Sequence, residues 1–346
     1  IVDQVNQGPE ATLQTWWTVF DDPVLNQLID RARSGNLDLQ TAAARVRAAR
    51  SSLAITSGER LPEIDGIGQA SRDRQSDDGW LAQVAPDNGF DSQNVYELGL
   101  DASWEIDLFG RIRRSIESSE AQFQSTLETE RDVMVTLFAE VSRTYIQVRE
   151  FQGRLVYARE NIKVQGEALD LAKERYATGL SSQLDVVQAQ ATLGMTQAAL
   201  PDLATAKDQA VYRLAVLLGV EAGSLQGEFV AVAAIPQPAG RITLGLPVDV
   251  VRQRPDVRAA ERRLAAQSAQ IGVATAALYP DFTLSGFIGL QTRSVNDLFS
   301  SNSEMWGLSL PMSWNLYDGG RVRSNIELQK DLTEQRLLDY RQSVLK

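Results

Sequence analysis

The side chains in this 346-residue chain that could do chemistry are few in kind. Glu97, Asp101 and Glu105 recur every four residues, so in an extended segment all three share one face, because side chains alternate along a strand. Such a row of carboxylates either attracts cations or simply solvates a surface. Asp21-Asp22 and Asp77-Asp78 are adjacent acids. Calcium needs more oxygen ligands than a pair supplies, and glycoside hydrolysis needs two carboxyls placed across a bond, so these pairs read as solvated acids. Gly319-Gly320 ahead of Arg321 is too short for a phosphate loop and, like Gly110-Arg111, reads as a strand-to-helix turn. There is no His and no Cys, which removes thiolate nucleophiles, zinc clusters, disulfides and any side chain whose unperturbed pKa lies near neutrality. Ser, Lys, Tyr and carboxylates remain, without triad spacing, so an enzyme ranks last among the classes and no metal or cofactor is expected. Forty-five acidic against 34 basic residues give a net charge of −11 and a pI near 4.7, which disfavours nucleic acid as a partner.

The elements that must position these residues emerge from an internal repeat. Shifted by 218, residues 37–68 fall on 255–286, matching Asp38 with Asp256, Ala42 with Ala260, Arg45 with Arg263, Pro62 with Pro280 and Gly68 with Gly286. Shifted by 210, Leu98, Leu100, Ser103, Trp104, Gly110, Arg111 and Arg113 fall on Leu308, Leu310, Ser313, Trp314, Gly320, Arg321 and Arg323. The two offsets place a length difference between Pro62 and Leu98, where Ser71 to Asn94 reads as a long polar loop. In each unit a helix (36–60, then 254–278) ends just before a Pro and gives way to period-two alternation, the mark of paired strands.

In the first unit Tyr96, Leu98, Leu100, Ala102 and Trp104 alternate with Glu97, Gly99, Asp101, Ser103 and Glu105. The second has Phe282, Leu284, Gly286, Ile288 and Leu290, then Trp306, Leu308, Leu310, Met312 and Trp314. A soluble sheet would bury the apolar face; a membrane barrel would give it to lipid and turn the acids to an aqueous lumen. Pattern alone favours the commoner soluble sheet. Strands of about 11 to 13 residues suit a tilted membrane crossing better. Tyr96, Trp104, Phe282, Trp306 and Trp314 could form interfacial girdles, with sheet-packing aromatics as the plain alternative.

From about Ile112 to Thr178 no Pro interrupts the chain, and a helix of that length would span roughly 100 Å. Leu137, Val141, Thr144, Val148, Phe151, Leu155, Ala158, Ile162, Gln165, Leu169, Ala172 and Tyr176 step by four and three, a coiled-coil stripe. After the break at Thr178-Gly179-Leu180-Ser181-Ser182, a second helix to about Leu218 carries Val186, Ala189, Leu193, Thr196, Leu200 and Leu203. The two form an antiparallel hairpin with its tip at Gly179, and the helix at 254–278 has nearly the length the shorter return arm lacks. No apolar run approaches the roughly 18 residues of a membrane helix. Two strand pairs give four strands, too few to close a membrane barrel, so copies must share one.

Thr15-Trp16-Trp17 with Asp22-Pro23-Val24-Leu25, the segment Trp104 to Arg111 (WEIDLFGR), the tip Arg175 to Val186 (RYATGLSSQLDV) and Arg254-Pro255-Asp256-Val257 together resemble the TolC-like outer-membrane efflux proteins. The likeness is greatest to the OprM-like subgroup, the exit ducts of tripartite RND multidrug pumps in Gram-negative bacteria. It covers essentially the whole chain. It implies a mixed α and β membrane protein with two internal structural repeats: a homotrimer whose twelve strands, four per chain, form one β-barrel in the outer membrane, continued by a long periplasmic α-helical barrel of coiled-coil hairpins. On that reading residues 1–35 are an N-terminal periplasmic segment, 36–60 the helix of repeat one, and 61–108 the first barrel hairpin. Residues 112–218 are the long helical hairpin, 219–253 an equatorial layer, and 254–278 the helix of repeat two. Residues 279–317 are the second barrel hairpin, and 321–346 the start of a second long helix, which the offset extrapolates to about residue 388 with a return to about 428.

The resemblance further implies a passive conduit that exports drugs or other small toxic compounds when its helices untwist. Its partners would be a periplasmic adaptor (membrane fusion) protein, an inner-membrane RND transporter and outer-membrane lipid. Arg175, Tyr176, Gly179, Leu180, Ser181, Leu184 and Asp185 are expected to form the adaptor-contacting tip and periplasmic entrance, although Gly179 could serve only as a turn former and Asp185 as a helix cap. Glu97, Asp101 and Glu105 are expected to line the lumen and favour cations. Members of the subgroup begin at a lipid-modified Cys, which implies an anchor upstream of Ile1 or removed. The competing class is a soluble or peripheral structural coiled-coil protein with a small sheet.

Overall fold

The computed structural model describes residues 15–74, 76, 91–238 and 247–346; Asp77-Asp78 lie outside the described residues. The chain forms two compact units, residues 1–46 with 127–258, and residues 47–126 with 259–346.

The first unit is helical. A single 3-10 turn (Trp16–Phe20) leads into α1 (Pro23–Gly35), followed by the start of α2 (Leu37–Gly58), the distal part of α3 (Arg111–Ala177), α4 (Gln183–Leu218) and α5 (Pro247–Gln253). Helix α1 begins where it does because Asp22 Oδ1 accepts the Val24 and Leu25 amides at 2.8 and 3.1 Å and Pro23 takes the first helical position. Its buried face, Leu25, Leu28, Ile29 and Ala32, forms one core with Leu137, Phe138, Val141, Tyr145 and Val148 of α3 and Val211, Leu214 and Leu218 of α4. Asp22 is therefore not the solvated acid its pairing with Asp21 suggests. Its second oxygen accepts the Tyr145 hydroxyl at 2.7 Å, and burial, reinforced by that carboxylate, raises the phenol's pKa.

A buried arginine ties the turn-rich segment 221–238 to this core. Arg149 lies over the rings of Tyr145 and Phe229, 5.1 and 5.4 Å from their centroids, and donates to the Gln152 side chain at 2.9 Å and the Ala231 carbonyl at 3.2 Å. Gln152 in turn donates to the Phe229 carbonyl at 2.7 Å. The guanidinium is thus shared among several acceptors, which is what a charge this deep requires.

Where α1 ends and α4 ends, backbone meets backbone. A Cβ on Gly35 would collide with the Leu218 carbonyl, and Gly219, at φ 69°, faces the Gly35 carbonyl in the same way. Buried Asn36 closes the joint: its amide donates to the Leu217 carbonyl at 2.9 Å while its oxygen caps α2 by accepting the Leu39 amide at 2.9 Å.

The second unit carries the sheet. Strands β1 (Glu63–Asp73), β2 (Gln93–Glu105), β3 (Asp281–Thr292) and β4 (Glu304–Ser309) pair antiparallel in chain order, and β5 (Met312–Ser313) also pairs with β3. Strands β1 and β2 extend further into the expected polar loop, since the ladder still pairs Asp73 with Gln93. Strands β4 and β5 keep one register against β3, Ser285 with Ser309 and Asp281 with Ser313, so they are one strand interrupted at Pro311. Thr283 donates its amide to the Pro311 carbonyl at 3.2 Å, and proline has no N–H to return. The fourth strand is therefore shorter than the alternation of 306–314 suggests, and Trp314 lies just beyond it.

Beside the sheet, α6 (Pro255–Ala276) runs antiparallel to the first part of α3, joined by Ser118 Oγ to the Ala266 carbonyl (2.9 Å) and Ser125 Oγ to the Ala259 carbonyl (3.0 Å). Its Gln267 meets Gln329 of α7 (Arg321–Leu345) at 2.7 Å. Small residues at these contacts let the helices approach.

Gly35→Ala must displace the Leu218 carbonyl, so it is expected to destabilise the fold by about 1–3 kcal/mol. Gly58→Ala, where an added methyl meets nothing within 4 Å, should change stability by less than about 0.5 kcal/mol. Thermal unfolding of the two variants side by side checks the pair.

Candidate functional site

Two regions gather the residues of interest, one in each unit. In the sheet, the register places Tyr96, Leu98, Leu100, Ala102 and Trp104 of β2 on one face with Leu284, Ile288 and Leu290 of β3, Trp306 and Leu308 of β4 and Ile64 of β1. Phe282 joins them opposite Met312. Among the described residues this face has no core of its own: Trp306 is 80% exposed, Leu308 72%, Ile64 66% and Ile288 64%. Monomeric proteins rarely leave a contiguous apolar patch of this kind open to water.

Tyr96 and Trp104 stand at opposite ends of β2, whereas Trp306 faces Ile288, which faces Leu100, within the body of the sheet. Trp104 and Trp314 share a further contact. The Trp104 indole donates to the Arg60 carbonyl at 3.0 Å and the Trp314 indole to the Leu278 carbonyl at 3.1 Å. Both carbonyls lie two residues before the Pro that opens the strand, so the internal repeat is repeated in its hydrogen bonds. The strand-to-helix turns repeat as well. Gly110 and Gly320 adopt φ 86° and 87°, which favours glycine. The first turn of each following helix is capped by a carboxylate: Asp107 accepts the Ile112 and Arg113 amides, and Asp318 the Val322 amide at 2.7 Å.

The opposite face holds Glu97, Asp101 and Glu105, together with Glu63, Asp65 and Asp73 of β1. The three expected acids differ in their surroundings. Glu105 is held by Arg111 through two bonds of 2.7 Å, so its charge is neutralised at the root of the strand. Glu97 accepts from Gln291 at 3.3 Å and, among the described residues, has no ion-pair partner. Asp101 lies between Asp65 on one neighbour and Phe287 on the other.

At the far end of the first unit, α3 closes in a Schellman turn: the Leu180 amide donates to the Arg175 carbonyl at 2.8 Å and the Gly179 amide to the Tyr176 carbonyl at 3.0 Å, with Gly179 at φ 73°. Helix α4 opens with a capping box, in which Ser182 Oγ accepts the Asp185 amide at 3.3 Å and Asp185 accepts the Ser182 amide at 3.0 Å. Gly179 and Asp185 thus have the turn-forming and capping roles. Those roles leave Leu180 77% and Leu184 63% exposed, with Tyr176 and Arg175 also on the surface, so the turn's backbone is satisfied internally and its apolar side chains are free. Along both arms the stripe residues are buried or half-buried up to Ala172 and from Val186, and their flanking residues are mostly exposed.

A profile of the family described as outer membrane efflux protein matches residues 28–220 and 246–346. The chain belongs to the outer membrane efflux protein family. Nodulation protein T of Rhizobium leguminosarum bv. trifolii is 30% identical over 345 residues, covering 99% of this chain and 71% of that protein. The solvent efflux pump outer membrane protein SrpC of Pseudomonas putida is 33% identical over 318 residues, 90% of this chain and 66% of that protein. A solved structure of the outer-membrane channel OprN superposes with a TM-score of 0.90 at 37% identity, covering 95% of this chain and 73% of that one. The chain thus spans about two thirds to three quarters of the length of these relatives.

As a member of the outer membrane efflux protein family, the chain is an outer-membrane efflux channel that extends into the periplasm. The family accounts for both regions: an apolar sheet face for the membrane and a helical barrel built from hairpins. No helix among the described residues is long and apolar enough to cross a membrane. Sequence reasoning missed the carboxylate caps at Asp107 and Asp318, which an acid two to three residues before each glycine could have signalled. It also missed Phe287, an apolar residue at a polar register position.

Asp185 has a pKa below the ordinary aspartate value, first because of the Ser182 amide and then the Ser182 hydroxyl. A carboxylate so lowered contributes fully above its unfolded pKa of about 3.9 and loses that contribution as pH falls through the folded value. Amide exchange at Ser182, corrected for intrinsic rate, should therefore be the same at pH 8 and pH 5 in the native protein. It should rise at both pH values in Asp185→Ala.

Proposed function

We propose that three copies of this chain pool their sheets into one twelve-stranded barrel and conduct drugs or other small toxic compounds outward, passively, once an adaptor and an inner-membrane RND transporter engage the helical tips. One observation carries the reading: four strands in continuous register present an apolar, exposed face on one side and acids on the other. Such a sheet is stable only with lipid on one face and water on the other, and four strands cannot close alone. The names of relatives, solvent and toluene efflux in Pseudomonas putida and pyoverdine export among them, support small-molecule cargo of varied chemistry. Conduction asks no bond-making of any side chain, which suits a chain without His or Cys. The soluble structural alternative gives no account of the exposed girdled face.

Within that duct Arg175, Tyr176, Gly179, Leu180, Ser181, Leu184 and Asp185 form the adaptor-docking tip, with Leu180, Leu184 and Tyr176 as its apolar anchors. Tyr96, Trp104, Phe282 and Trp314 serve at the membrane interfaces, whereas Trp306, in the body of the sheet, faces the hydrocarbon layer instead of the interface expected for it. Glu97 and Asp101 bias the lumen toward cations, and Glu105, paired with Arg111, adds less.

Light scattering of the detergent-extracted protein, corrected for bound detergent, is expected to give a trimer; a monomer stable without detergent would overturn the barrel. In planar bilayers the channel should prefer cations, and Glu97→Gln with Asp101→Asn should reduce that preference more than Glu105→Gln does. Leu180→Glu should abolish adaptor cross-linking and drug resistance while the protein still reaches the outer membrane as a trimer.

A further inference from the structure

Resting on the reading of the acidic face as lumen, we infer that the barrel wall carries a weak binding site for amphiphilic cations, an aromatic or greasy body bearing a permanent positive charge, centred on Phe287. Phe287 occupies a register position that faces the acids, directly opposite Asp101. Its ring lies across the backbone of two glycines that pair with each other, Gly99 and Gly289: Cβ atoms built there would come within 2.8–3.0 Å of the ring atoms. Any larger residue at either position would push the ring off the wall. Because glycine leaves room there, the outer edge of the ring, Cε2 and Cζ, reaches over the sheet, and Phe287 stays half-exposed on the side of the acids.

Two further apolar residues adjoin the glycines. Ile67 lies opposite Gly99 on β1, and Met305 opposite Gly289 on β4. The result is an apolar island, Ile67, Phe287 and Met305, around a glycine pair, in a face whose other strand residues are mostly polar, with Val95 nearer the far end of β2. Carboxylates flank it: Asp101 beside Phe287, Asp65 beside Asp101, and Glu97 one step along β2. No Lys or Arg occupies this face of the strands, and among the described residues neither Asp65 nor Asp101 has an ion-pair partner.

Apolar contact and negative charge side by side select against two classes of solute. A small hydrated cation gains nothing from the island, and an apolar anion is repelled by the acids. A cation with an aromatic or alkyl body satisfies both, gaining ring-face attraction at Phe287 as well as the carboxylates' field. A cation–π contact at an exposed wall is worth about 0.5–1 kcal/mol, roughly a two- to fivefold change in affinity. The site would therefore slow and concentrate such solutes at the wall without trapping them, as passage through a duct requires.

Saturation-transfer NMR on the detergent-solubilised trimer tests this, with benzyltriethylammonium as probe and benzenesulfonate and tetramethylammonium as charge and size controls. Transfer is expected to the benzyl protons of the first probe and to neither control. Phe287→Leu should weaken binding about two- to fivefold, and Asp101→Asn should weaken it as well and erase the preference over benzenesulfonate. Light scattering of each variant checks that it remains a trimer. Equal transfer from all three probes, or wild-type binding in both variants, overturns the site while leaving the duct intact. A protein that forms no trimer and conducts no ions overturns the duct reading and the site with it.

Discussion

A sheet whose one face is apolar must find something apolar to cover it, and among the described residues of this chain nothing does. Ile64, Ile288, Trp306 and Leu308 stand open on a single copy, while the helices bury their own stripes against one another and against α1. Hydrophobic burial is the main favourable term in folding, so a chain that leaves this much of it unused folds completely only in the right surroundings. Lipid supplies the apolar phase, and neighbouring copies supply the missing strand partners that backbone hydrogen bonding demands inside a membrane. Barrel, trimer and location all follow from that one deficit.

The helical part answers a different demand. A long, thin hairpin has little core per residue, and the first unit concentrates its packing at the base: the Asp22–Tyr145 bond, the Arg149–Gln152 hold on the turn segment and the Gly35–Gly219 backbone contact join segments distant in sequence around one core. Beyond that base the arms carry a stripe that is mostly half-buried, with Leu155 and Leu169 buried, and a turn whose hydrogen bonds are satisfied locally. Motion is therefore cheapest toward the tip and dearest at the base, which suits a gate operated from one end.

Much of this could be read without coordinates. Period-two alternation from 96 to 105 and the four-three stepping from 137 to 172 are long, regular signals, and the structure has a strand and a helix over those residues. The doubled motifs at Trp104 and Trp314 carried the repeat, although their indole bonds to Arg60 and Leu278 needed three dimensions. What sequence could not show was competition between partners. Asp22 looked solvated because its partner Tyr145 is 123 residues away. Glu105 belonged by spacing with Glu97 and Asp101, yet Arg111 lies within reach of it alone among the three. Pro311 was visible, but the alternation around it was regular enough to hide its effect on β4. Phe287 escaped because a single residue out of phase looks like noise until the glycines beneath it are placed.

The break at Pro311 also bears on how copies join without going astray. Along an antiparallel strand, successive residues direct their peptide groups to opposite sides. Pro311 offers its carbonyl to Thr283, so the donor it lacks would have pointed inward, toward the chain's own β3. The peptide groups on either side of it face outward and are intact. The defect is thus absorbed within the protomer, and the outer rim of β4 keeps an unbroken set of donors and acceptors for the first strand of a neighbour. That rim is indispensable to closure and hazardous before it, since an unmatched strand invites promiscuous pairing. Newly exported chains must accordingly be kept apart until they meet partners in register, and the time between export and closure is when this protein is most prone to aggregate.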